Sequence, residues 1–342
     1  IAIALGKKKE KEAHNIFTCA CLMIVLAGIA VGSILYGAAP TLIRLMGAEG
    51  EFAVLAVQYM RVYALCSPIT TIVFAMDNFL RISGMIRGSM FLILLMSALS
   101  GALEFLFLGV RGWGKWPAAL ATCTGMAVCV LLALLPFLRG KAALKFCRPR
   151  FSCAMIRQIA SCGSPNFLNN IAGRITSILM NFILVRLGGE TAVSVYGILM
   201  YAEGFIQPLL YGMCDSLQPA VGYNWGAGKF SRVRAIEKCC FTASAAVSLL
   251  AAAALAAFPS QVAALFMGDS GREVLVLAAG ALRLFALTFV TRWFSFATQS
   301  YMLAVEKPLP ASLISVSTAL IFPVLLVVLL WPFMALYRAA SL

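Results

Sequence analysis

Charge is the scarcest property of this 342-residue chain, with Asp, Glu, Lys and Arg together making up 12% of it. Soluble domains carry roughly twice that share, so an ordinary water-soluble fold is excluded. Acids are fewest, 13 against 27 bases, and no DxxxD cluster lies in the basic loops, which argues against a metal-dependent membrane enzyme such as a polyprenyl transferase. His14 is the only histidine and carries no assigned role. The eleven cysteines show no CxxC spacing. Neither a disulfide framework nor a zinc site is indicated, and the thiols read as small core residues. An initiating Met and the basic start of a signal peptide are also lacking.

What fills the chain is apolar: 62% hydrophobic residues and a mean hydropathy of +0.95. Runs with almost no charge cover 15–43, 52–76, 88–110, 116–138, 158–185, 191–228, 239–268, 274–305 and 308–337. Each exceeds the roughly 20 residues a helix needs to cross a bilayer, giving nine spans. Ile1 to Leu5 is an apolar stub too short to span, expected to be the tail of a helix that begins before this chain. The formal charge of +14 does not imply nucleic acid, because the bases are scattered between apolar runs rather than gathered on one soluble face. They alternate instead. Taking loop 6–14 as one side, that side collects 17 bases and the other 6, which makes loop 6–14 cytoplasmic.

The chain also repeats. Glu51 to Leu65 and Glu273 to Leu287 agree at seven of fifteen positions, 222 residues apart, and Arg61/Arg283 is among the matches. Gly6-Lys7 and Gly228-Lys229, Ala13 and Ala235, and Phe74 and Phe296 keep the same offset; Met46-Gly47 and Met267-Gly268 slip by one. So long a period is two copies of a large unit rather than a solenoid. Six spans separate the copies, so both point the same way, as in transporters that rock two parallel bundles around a shared cavity.

Two motifs then carry a family likeness. Gln218-Pro219-Ala-Val-Gly222-Tyr223-Asn224-Trp225-Gly226-Ala227-Gly228-Lys229 is similar to the QP..GYN.GAGK signature of the multidrug and toxic compound extrusion (MATE) transporters. Asp77-Asn78-Phe79-Leu80-Arg81-Ile82-Ser83-Gly84 resembles their DNFLR..G loop. The resemblance runs over the whole chain as family helices two (tail) to eleven. It implies an all-α polytopic membrane protein with two parallel-oriented six-helix bundles, an incomplete one at 1–150 and another at 151–342. On that reading the first family helix, most of the second and the last lie outside the chain. It further implies a secondary antiporter, exporting cationic or amphipathic molecules in exchange for H⁺ or Na⁺. A flippase for lipid-linked saccharides is the alternative within the wider superfamily. The glycines near Lys229 do not form a phosphate loop, since Tyr223 replaces the first Gly and Phe230 the Ser/Thr that would hold Mg²⁺.

Ionisable residues inside spans are costly and mark candidate sites. Glu203, Gln207, Tyr211 and Asp215 recur every four residues as one polar stripe. Asn166, Asn170, Arg174, Ser177 and Asn181 form another on the preceding span. Both stripes read as cavity lining or as interhelical hydrogen bonding. Arg174 is expected to pair with Glu203, the candidate cation- or proton-binding carboxylate, and Arg61 with Glu104. Asp215 and Asp77 read as structural or gating residues, and Arg292 and Gln299 as groups that face the cavity or bond to backbone. Many MATE members carry an acid in their first helix, and some in the seventh and tenth; here those last two hold Arg174, Arg283 and Arg292 and no acid. The expected product is a monomeric transporter, not an enzyme, needing no cofactor or metal. It resides in a bacterial inner membrane, with lipid and a small-molecule substrate as its partners.

Overall fold

The computed structural model describes residues 1–110, 116–266 and 272–330. Among them every regular element is helical, as the composition requires. Arg111, Lys115, Met267, Gly268 and Arg338, and the ninth span beyond Leu330, lie outside the described residues. The chain divides into two compact units, Ile1–Met155 and Ile156–Leu342.

Unit one holds α1 (Ala2–Gly6), α2 (Glu10–Leu45), α3 (Gly50–Leu65), α4 (Ser67–Ile82), α5 (Ile86–Glu104) with a π-helical extension Phe105–Val110, and α6 (Trp116–Leu138). Acids open α2 and α3, and Arg44 and Arg81 close α2 and α4, matching the helix dipole. Phe17 of α2 centres the core, 4.9 Å from Phe79 and 5.1 Å from Phe137 by ring centroids. The chain after α6 is pinned along α2: Asn15 exchanges hydrogen bonds of 2.9 and 2.8 Å with the Arg150 backbone, and Thr18 accepts from the Cys147 N–H.

Unit two is built from α7 (Cys153–Gly226), which starts at the unit border, α8 (Phe230–Ala257), α9 (Pro259–Phe266), α10 (Arg272–Ala304) and α11 (Pro308–Val316), which runs on through a π-turn at Ser317–Ile321. At Gly189 α7 takes φ 61, ψ −152, a conformation open essentially only to glycine. The break separates two limbs, Cys153–Arg186 and Gly188–Gly226, which fold against each other so that Asn169 meets Tyr211.

Eight described helices are long and apolar enough to span a membrane. The expected span 52–76 is not straight: α3 and α4 meet at 52°, and only as one bent element do they make a ninth. Pro68 at the start of α4 supplies no N–H, so the α-helical ladder stops at Cys66. Two glycines on α2 seat this bend. A Cβ on Gly28 would lie 2.8 Å from Pro68 Cα, and one on Gly32 would collide with the Ala64 carbonyl. The expected span 239–268 is also redrawn, because α8 begins at Phe230 and Pro259 stops it at Ala257. Loops 6–14 and 228–238 consequently shrink to tight turns, and Lys11, Arg232, Arg234 and Lys238 lie on helices.

Those turns correct the repeat. Lys8 N–H donates to the Leu5 carbonyl and Lys9 N–H to Ala4, with Lys8 at φ 58; Gly228 and Lys229 make the same bonds to Trp225 and Asn224, with Gly228 at φ 70. This is the Schellman ending, in which a left-handed residue closes the helix. The copies are 220 residues apart, not 222, so Gly6 matches Gly226 and Lys9 matches Lys229. The turns at Ser83–Met85 and Val305–Lys307 again repeat bond for bond at 222. Two residues enter the offset in between.

Candidate functional site: a polar belt in unit two

One face of α10 carries Phe285, Phe289, Arg292, Phe296 and Gln299, at intervals of 4, 3, 4 and 3. That spacing keeps them on a single seam of the helix. The second limb of α7 presents Glu203, Tyr211, Asp215 and Gln218 to this seam. Because both helices run in the same direction, the contacts follow one another in register.

At one end Arg292 Nη1 donates to Glu203 Oε1 at 2.5 Å. The guanidinium also lies over the Phe289 and Phe285 rings, 5.2 and 5.9 Å from their centroids. The side chains of Arg292 and Glu203 are only 24% and 17% exposed. Such a pair is held by geometry rather than by net energy, since desolvating two charges offsets most of their attraction. Next along the belt Tyr211 packs on Phe296 at 4.4 Å and accepts from Asn169 Nδ2. Gln299, 4% exposed, donates to Asn166 Oδ1 at 3.1 Å. At the other end Ser300 Oγ and Gln218 Nε2 each donate to Asp215 Oδ1 at 3.0 Å. Glu203 and Asp215 are twelve residues apart on one helix, so the belt extends about 18 Å.

The partner expected for Glu203 is therefore corrected. Arg292, not Arg174, neutralises it: Arg174 is exposed, and the face of α7 that enters the belt is that of Asn166 and Asn169. Asn170 turns back to the Asn166 carbonyl at 2.8 Å, and Asn181 is exposed. Gln207 is half-buried and makes no hydrogen bond with a described residue. Asn169 and Ser300, which lie off the two polar stripes read from the sequence, also belong to the belt. The 4-3-4-3 spacing on α10 is the sequence signal for the seam itself, and neither Asn169 nor Ser300 is part of it.

Unit one holds a smaller cluster. Asp77 and Arg81, one helical turn apart on α4, form an ion pair at 2.7 Å. Ser89 near the start of α5 donates to Asp77 and accepts from Arg81 Nε at 3.0 Å. Above Asp77 a cavity of about 100 Å³ is lined by Val73, Phe74, Leu92, Ile93, Met96, Cys129 and Ala133. The expected Arg61–Glu104 pair does not form. Arg61 lies 5.1 Å over the Tyr36 ring with Nε buried and unbonded, while Glu104, at the end of α5, accepts from Thr122 of α6 at 2.7 Å. Two neighbouring helices thus draw the charges apart.

A family model described as MatE matches residues 1–106 and 165–329. The multidrug export protein MepA of Staphylococcus aureus (strain NCTC 8325) is 22% identical over 332 residues, covering 96% of this chain and 72% of its own length. MepA of Staphylococcus saprophyticus is 25% identical over 242 residues, 70% of this chain and 53% of that protein. Among solved structures, a MATE crystallised in complex with MaL6 superposes with a TM-score of 0.88 at 22% identity, over 94% of this chain and 72% of that one. The outward-facing conformation of a multidrug resistance MATE transporter of the MOP superfamily gives 0.87 at 21%, with the same coverage. With its helical units, its signature turn at Gly226–Lys229 and most of its length matched, the chain belongs to the MatE family.

Proposed function

We propose that the chain is a secondary active exporter of cationic or amphipathic small molecules from bacterial cells, driven by entry of H⁺ or Na⁺, with the Glu203–Arg292 pair as its coupling element. The half-buried pair inside a polar belt carries this reading. A carboxylate in a low-dielectric site exchanges its counterion at a cost that depends on solvent access. When Glu203 takes a proton or Na⁺, Arg292 loses its partner and must find water or another acceptor. The two states of α10 and α7 therefore differ in electrostatic energy, as an alternating-access step requires. The export direction and breadth of substrate are drawn from the MepA proteins, named as multidrug exporters. The basic turns about Lys7–Lys9 and Lys229 are assigned to the cytoplasmic side, and no cofactor enters the scheme.

Inverted vesicles holding the full-length protein test it. Rhodamine 6G is expected to accumulate when a pH gradient or a Na⁺ gradient is imposed separately. Accumulation driven by neither overturns the antiporter reading.

A further inference from the structure

Unit two leaves positive charge unspent. Of its mid-span acids, Glu203 is held by Arg292, and Asp215 is bonded by Ser300 and Gln218. Arg174 makes no ion pair, hydrogen bond or ring contact with any described residue, and it is exposed. It is eight residues beyond Asn166 and five beyond Asn169, about 80° and 140° round the helix from those two belt residues. On its own face stand Asn170 and Asn181, both exposed, flanked by the exposed Phe167, Ile171 and Ile178.

Depth makes this arginine unusual. Arg186 marks one end of the limb, twelve residues or about 18 Å away, and Arg157 the other, seventeen residues or about 26 Å away. Snorkelling serves residues near helix ends, and Arg174 lies well inside the limb from both. A guanidinium at such depth faces water or an anion, and its fork of donors matches a carboxylate, sulfonate or phosphate. The apolar side chains beside it suit the body of an amphiphile rather than an inorganic ion.

We propose that Arg174, with Asn170 and Asn181 along its face, binds the negatively charged group of an amphipathic substrate, so that the chain handles organic anions and zwitterions and not cations alone. This rests on the transport reading and narrows its amphipathic half.

Fluorescein and rhodamine 6G share a xanthene body and differ in charge, and their binding to the purified full-length protein is read by fluorescence polarisation. Arg174→Gln is expected to weaken fluorescein about tenfold or more, the scale of a lost charge-assisted pair, while rhodamine 6G shifts less than about twofold. Arg174→Lys is expected to fall between, and Asn181→Ala to weaken fluorescein about threefold. Those two variants decide the matter should Arg174→Gln fail to fold. No fluorescein binding by the wild type, equal effects on both dyes, or no effect on either overturns the proposal. So does displacement of fluorescein by trace phosphatidylglycerol, which assigns the face to lipid. Rhodamine 6G accumulation in energised vesicles reads the transport proposal separately: dye movement without fluorescein binding sinks only the anion site, and Arg174-dependent binding without dye movement sinks only transport.

Discussion

The two units carry the same backbone turn with opposite side-chain chemistry. In unit one the helix before the turn holds Asp77 and Arg81, and the helix after it Ser89, which close on one another. At the copied positions 222 residues on stand Gln299, Leu303 and Ala311. With no local partners, Gln299 reaches across to Asn166 of another helix. Thr70 of unit one, bonded to its own helix at the Ser67 carbonyl, corresponds to Arg292, which holds Glu203. At these positions unit one satisfies its polar groups within α4 and α5, and unit two uses them to tie three helical segments together. The duplication kept the turns, which backbone hydrogen bonds define. It did not keep the side chains, which are free to take up work.

The largest expected effect tests this asymmetry at its charged end. Arg292→Met leaves the half-buried Glu203 without its cation, and removing one member of such a pair costs about 2 kcal/mol, between the cost for an exposed pair and that for a buried one. Thermal unfolding in detergent should show a clear fall. Glu203→Leu/Arg292→Met should recover most of the stability and none of the transport. Thr70→Val, at the copied position in unit one, should cost less than about 1 kcal/mol. Equal costs at positions 70 and 292 would remove the contrast.

The helix bend is the next difference. Gly28 and Gly32 let α2 approach the α3–α4 junction, whereas at an offset of 220 unit two has Ser248 and Ala252 beside an unbroken α10. Gly32→Ala should destabilise by about 2 kcal/mol, as overpacking against backbone does. Ala252→Gly should cost no more than about 1 kcal/mol. A neutral Gly32→Ala would mean the bend does not depend on close packing. Third, Asp77→Asn gives up the Arg81 ion pair and should cost about 1 kcal/mol, and Gln299→Ala about as much, because each breaks a similar number of bonds. Their transport phenotypes should part, with only Gln299→Ala slowing dye movement.

The smallest effect runs the other way. Lys8 and Glu306 take the left-handed conformation at φ 58 that Gly228 and Gly84 hold in the matching turns. Lys8→Gly and Glu306→Gly should each stabilise by about 1 kcal/mol, the steric cost relieved. Gly84→Glu should lose a comparable amount. Melting temperatures unchanged in both directions would mean that these turns tolerate side chains freely.

Hydropathy made the helices legible, because apolar runs longer than a bilayer is thick have few other uses. It could not show the break at Cys66 or the stop at Ala257. Those are set by Pro68 and Pro259, and a proline inside an apolar run reads the same whether a helix bends, ends or simply continues. The repeat was legible at Glu51 to Leu65, yet the apparent match of Gly6-Lys7 with Gly228-Lys229 was two residues out of register, since glycines and lysines recur too often to fix an alignment that hydrogen bonds fix at once. Glu203 stood out as a mid-span acid. Its partner did not, because Arg174 and Arg292 are equally basic and equally deep, and only packing decides which one faces it. Asn169 escaped notice beside Asn166 and Asn170. A stripe drawn at intervals of four drifts around the helix, and the face that enters the belt follows 166 and 169.

The central claim is that the Glu203–Arg292 pair couples ion entry to export. Initial rates of rhodamine 6G uptake into inverted vesicles, for Glu203→Gln against wild type at equal amounts of folded protein and under each imposed gradient, test it most directly. A fall of about tenfold or more under every gradient that drives the wild type is predicted, since the neutral amide can neither hold a proton or Na⁺ nor release Arg292. Uptake by Glu203→Gln at the wild-type rate would contradict it.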